Sequence, residues 1–260
     1  MRVEAIFFVN WIFWAALCGG TLLVVGLTEA AGGTTRGYRL FMAGLLAAFA
    51  VILVLSDLAL PTDVSASAAE SLRRPLALAV AAGSGAYLVA SIAQWPGRSW
   101  VAIVSGLLGL AALVVLAAAG GTRSIPIFAS QLVLAALALG AVNAAMLLGH
   151  WYLVTPKLSP APLRRMMWLL IAALVLQAVV FAVAVVVVGT DPLTGSFAWL
   201  AWLRLAAGIV LPIVATILAL LATRASSLQA STGLLYIGLA LVMAGSIAGA
   251  SLAYLTGVPV

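Results

Sequence analysis

Leu169-Leu170-Ile171-Ala172-Ala173-Leu174-Val175-Leu176-Gln177-Ala178-Val179-Val180-Phe181-Ala182-Val183-Ala184-Val185-Val186-Val187-Val188 decides the fold class. The run holds one polar side chain, Gln177, and no charge. Roughly 20 apolar residues in a helix cover the ~30 Å hydrocarbon core of a bilayer. Only helices and closed barrels satisfy their backbone polar groups in lipid. A barrel strand would alternate apolar and polar residues over about ten positions, and this run does not. It predicts a transmembrane helix.

Seven further blocks of the same kind surround it. The chain has 260 residues, 66% hydrophobic and 7% charged, with mean hydropathy +1.28. A soluble domain carries about a quarter charged residues. The predicted fold class is an all-α integral membrane protein, an eight-transmembrane-helix bundle over residues 1–260. The spans are expected at 6–28, 38–60, 75–93, 100–119, 127–150, 165–189, 197–222 and 232–256. Between them lie the breakers Gly32-Gly33, Pro61, Pro96-Gly97, Gly120-Gly121, Pro156 with Pro160 and Pro162, and Asp191-Pro192. Short connections make neighbouring helices antiparallel.

A net charge of +6 does not point to nucleic acid, because the bases are scattered at helix ends and form no stripe. They read instead as topology. One face carries Arg36, Arg39, Arg98, Lys157, Arg164, Arg165 and Arg224, the other Arg2, Arg73, Arg74 and Arg123. The positive-inside rule puts the richer face in the cytoplasm and both termini outside, in a multi-pass protein of a bacterial inner (plasma) membrane. Trp11, Trp14, Trp199 and Trp202 mark one interface; Trp95, Trp100, Trp151 and Trp168 mark the other. The first apolar stretch is full-length and reads as a retained helix, not a cleaved signal. Cys18 is the one cysteine, so no internal disulfide or Cys-rich metal site is expected.

A weak internal repeat suggests tandem four-helix halves, 1–122 and 123–260. Ser105-Gly106-Leu107-Leu108 in the first answers to Thr232-Gly233-Leu234-Leu235 in the second. The plainer account is chance recurrence in so apolar a chain.

Ionisable residues within a span are costly and usually functional. Asp57 and Arg204 lie near the same face, so a buried Asp57–Arg204 ion pair is one expectation. The competing one leaves both solvated, with Arg204 in the headgroup belt between Trp199 and Trp202. A second cluster ends the fifth span: Gly149-His150-Trp151-Tyr152. An imidazole and a phenol at headgroup depth suit the carbonyls of a quinone. His150, Trp151 and Tyr152 are the candidate quinone-binding residues, with Glu29 on the same face as proton acceptor. The plainer account is an aromatic anchor whose His caps the helix C-terminus.

No covalently bound cofactor is expected, and haem is disfavoured. His150 is the only histidine, which excludes bis-histidine ligation within the chain. No metal site is expected either, since the zinc motif His-Glu-x-x-His is missing. Asn10, Gln131, Asn143, Gln177, Ser84 and Thr216 fall within spans and read as interhelical hydrogen-bonding groups. Pro212 should kink the seventh helix.

These features imply a membrane subunit of a respiratory or electron-transfer complex, contributing a quinone pocket and anchoring redox partner subunits in the lipid bilayer. In helix count and layout the chain resembles the membrane anchors of polysulfide-reductase and dimethyl-sulfoxide-reductase type. That likeness carries no residue-level motif, so it assigns no site. The alternative is a small-solute or ion transporter, which needs a convergent polar site and a broken helix. A membrane-embedded transferase is a third class, and it lacks paired acidic motifs here.

Overall fold

A computed structural model describes residues 3–60, 68–119, 124–155 and 158–258, without the side chains of 3–5, 68–70 and 188. Pro61, Asp63, Gly120-Gly121, Pro156, Arg2, Arg123 and Lys157 lie outside the described residues.

Eight helices are long and apolar enough to cross a membrane, and no strand occurs among the described residues. The first six spans are α1 (Val3–Ala30), α2 (Arg36–Leu58), α3 (Ala68–Ile92), α4 (Arg98–Ala119), α5 (Ile125–Val154) and α6 (Ala161–Val188). A single turn, α7 (Asp191–Thr194), leads into the seventh span. That span is composite: α8 (Ala198–Leu203), a π-helical stretch Arg204–Val210, then α9 (Leu211–Arg224). The last span is α10 (Leu228–Thr256).

The helices close into two rings. In the first, α1 touches α2 and α4, and α3 touches the same two. In the second, α5 touches α6 and α10, while α9 touches those same two. The rings meet along α1 and α5, the most enclosed spans. Large apolar side chains face outward on every other span, for example Val51, Val89, Val104, Val186 and Ile237. In lipid this is the expected inversion, because tails solvate Val and Leu as well as a core does.

Small residues make the α1/α5 seam. A Cβ on Gly20 would run into the Ala136 carbonyl, and one on Gly140 would run into the Gly20 backbone. Backbones this close gain dispersion contacts that larger side chains would prevent. Beside the glycines, Asn143 Nδ2 donates to Thr21 Oγ1 at 3.3 Å. Elsewhere Tyr38, fully buried, donates its hydroxyl to the Ala144 carbonyl at 3.0 Å and ties α2 to α5.

Several helices run further than the sequence implies, and two of these extensions bear on the candidate residues. α3 begins at Ala68, two turns before Pro75. Pro75 therefore lies inside α3, beyond the first turn in which proline is ordinarily accommodated. α5 continues to Val154 with Thr155 as its C-cap, so the His150 cluster is helical. Trp95, Trp100, Trp168, Trp199 and Trp202 are exposed, as interfacial tryptophans should be. Trp11 departs from that belt: it is buried, with the Arg73 guanidinium 5.8 Å from its ring centroid.

Candidate functional site

Arg204 opens the π-helical stretch, six residues after the start of the span at Ala198, a depth of roughly 9 Å at 1.5 Å per residue. Pro212 explains the local winding. It has no N–H to return to the carbonyl four residues earlier, and Leu211 N–H bonds back five residues to the Ala206 carbonyl. The expected kink is thus taken up as a π turn, a device frequent at functional sites. Gly208 and Gly245 pack backbone to backbone and bring α10 against this turn.

The side chain of Arg204 is buried within the bundle, 3% exposed. Its Nη1 donates to the Gly245 carbonyl at 3.3 Å and its Nη2 to Gln177 Oε1 at 3.5 Å. Both are long, and Nε has no partner. No carboxylate pairs with it among the described residues. The expected Asp57–Arg204 pair is therefore not formed, and neither is the solvated alternative. Gly249 supplies the room, since a Cβ there would overlap the guanidinium.

Arg204 lines a small cavity of about 20 Å³ together with Gln131, Ser246 and Gly249. Gln131 is 4% exposed, and its Nε2 is also without a partner. Apolar groups close the remainder, among them Val9, Phe13 and Leu139. Val9 and Phe13 also line a second space, a partly open groove of about 330 Å³ between α1 and α10. Ile6, Ile247 and Leu255 form its apolar flanks, and Asn10 and Ser251 are its polar members. Asn10 is oriented by its neighbours: Nδ2 donates to Ser56 Oγ at 2.8 Å, and Oδ1 accepts from Trp14 Nε1 at 3.1 Å.

Asp57 has other partners. Both carboxylate oxygens are taken, Oδ1 by Arg73 Nη1 and Oδ2 by Arg74 Nε at 2.9 Å. The early start of α3 places these consecutive arginines on a helix facing the end of α2. In the sequence they counted only as topology charges.

The four quinone candidates do not converge. His150 is exposed and meets Tyr236 of α10, Nδ1 to Oη 3.4 Å. Trp151 lies over Gly37 and stacks with Phe41 of α2, centroids 6.5 Å apart. Tyr152 is buried and donates to the Ser159 carbonyl at 2.8 Å. Successive helical residues point about 100° apart, so the continued helix spreads the three over different neighbours. Glu29 belongs to the first ring, where it accepts from Tyr87 Oη at 2.6 Å and sits 3.5 Å from Arg98 Nε.

The residues that do converge are Arg204, Gln131 and Gln177, from three spans. The sequence singled out each of them without linking them. Ser246 and Gly249, small residues of the last span, complete the lining. No protein-family model, curated protein or solved structure matches the chain.

Proposed function

We propose that this chain is a membrane subunit of an electron-transfer assembly and takes a quinone sideways from the bilayer into the α1/α10 groove. The observation that carries the reading is the groove itself. At about 330 Å³ it falls in the size range of small-molecule sites, which combine apolar walls with a few placed polar groups. A quinone ring would lie against Val9, Phe13 and Ile247, with its isoprenoid tail leaving into lipid. Its carbonyls would accept from the Ser251 hydroxyl and from the second N–H of the Asn10 amide, whose first is given to Ser56. Electrons would come from and return to cofactors of partner subunits. By the positive-inside rule the protein would sit in a bacterial inner membrane with the Arg36, Arg165 and Arg224 face in the cytoplasm. The site proposed for the quinone is thus moved from the His150 cluster to the opposite end of the bundle.

Purification in mild detergent tests the assembly: cytochromes or iron–sulfur subunits should co-migrate, with their absorption in the fraction. A colourless chain migrating alone rejects it. Ser251→Trp, which fills the groove from its lipid side, is expected to lower quinol-linked turnover by about tenfold or more, equivalent to ~1.4 kcal/mol. His150→Ala is expected to leave turnover near wild type. Loss of turnover in His150→Ala, with Ser251→Trp fully active, would return the site to the end of α5.

A second reading, small-solute or ion transport, has its own observation: Gln131, Gln177 and Arg204 meet beside a broken helix, as transporter sites do. Protein reconstituted in vesicles and assayed for anion flux decides it. Flux abolished by Arg204→Gln would favour transport over the redox assembly.

A further inference from the structure

We propose that the cavity beside Arg204 binds one small monovalent anion of halide size. The inference goes beyond the quinone reading and is independent of the groove's occupant. It begins from an uncompensated charge. A guanidinium cannot shed its proton in a protein, and an ion buried out of water is costly unless paired. Arg204 is buried and, among the described residues, meets two neutral oxygens, at 3.3 and 3.5 Å. No carboxylate among the described residues forms an ion pair with it: Asp57 pairs with Arg73 and Arg74, and Glu29 with Arg98.

The cavity has the donors an anion needs. Arg204 Nε and Gln131 Nε2 are both buried, both lack a partner, and their residues line the same space. Ser246 is a further polar residue of its wall. Each of these groups can donate, and neither Arg nor the amide nitrogen can accept. A volume of about 20 Å³ is close to that of a single water site, which needs roughly 10–15 Å³. A phosphate or carboxylate headgroup is too large for it, and a water fits but leaves the charge unbalanced. One halide fits both constraints. Access would come from the groove, past Val9 and Phe13, which line both spaces.

Thermal unfolding of the purified chain in detergent provides the first test, in sodium chloride, sodium bromide or sodium gluconate at equal ionic strength. A ligand bound only by the folded state raises Tm with its concentration. Chloride and bromide should therefore raise Tm by about 5 °C or more over gluconate, in which the anion is too large for the cavity. Gln131→Leu should weaken the apparent halide affinity by about tenfold or more through loss of a charge-assisted bond. Arg204→Gln should remove the halide dependence altogether. Crystals of the wild-type chain grown in bromide give a reading free of any folding defect in the variants: anomalous scattering should place an ion between Arg204 and Gln131. Equal Tm values in chloride and gluconate overturn the proposal. So does a halide dependence that survives in Gln131→Leu, or bromide found only on the surface.

Discussion

Gly20→Leu is expected to abolish the folded bundle. The added side chain must enter a seam in which even a Cβ overlaps the Ala136 carbonyl, and that carbonyl belongs to the backbone of a rigid helix. Neither α1 nor α5 can retreat, because each is also held in its own ring by two neighbours. Overpacking a core against movable side chains costs about 1–3 kcal/mol, and separating two helix backbones adds the loss of dispersion along the contact. Gly20→Ala should therefore cost at least about 3 kcal/mol, and Gly20→Leu should leave no monodisperse peak on size exclusion. Gly44 is the control, because a Cβ there meets nothing within 4 Å. Gly44→Ala should elute and melt as wild type does. A folded, stable Gly20→Leu would mean that the rings do not meet along α1 and α5.

The second large effect concerns Asp57. Its side chain is 3% exposed and that of Arg73 is 9% exposed, so Asp57→Leu strands a buried guanidinium stacked on Trp11. Breaking a buried pair from one side costs about 3–5 kcal/mol. Asp57→Leu with Arg73→Leu removes both charges and should recover part of that loss, a coupling of about 0.5–3 kcal/mol. Arg204→Leu should behave identically with and without Asp57, additive within about 0.5 kcal/mol. Reversible unfolding in mixed micelles measures both cycles. Coupling to Arg204 in place of Arg73 would reverse the assignment of partners.

Both predictions turn on knowledge of which faces meet, and there the sequence runs short. Asp57 and Arg204 lie near the same face of the bundle in the sequence as in the structure, so depth was readable. Depth does not give direction around the helix axis. Asp57 turns toward the start of α3, while Arg204 turns inward between α10 and Gln177. The His150 cluster turns on the same point. Its residue types suit a quinone, but with α5 helical through Val154 their side chains are spread around the axis. Convergence needed an unwound end, and nothing in Trp151-Tyr152-Leu153-Val154 forces one. Pro212 was legible as a break in the seventh span. That the break would appear as a π turn placing Arg204 beside Gln131 was not, because the register of the turn is set by the Gly208–Gly245 contact with α10.

The sequence alone determined the fold class, with its eight apolar helices and connections short enough to make neighbours antiparallel. That information is additive along the chain: each run is apolar enough and long enough for lipid on its own account, with no reference to any other. The tertiary structure alone decided that α1 and α5 are central, that Asp57 belongs to Arg73 and Arg74, and that Arg204, without a carboxylate partner among the described residues, lines a small cavity. Those are properties of pairs of helices, set by where small residues let backbones approach. In a chain where two-thirds of the residues are hydrophobic, many faces are nearly equivalent in lipid, and only packing distinguishes them.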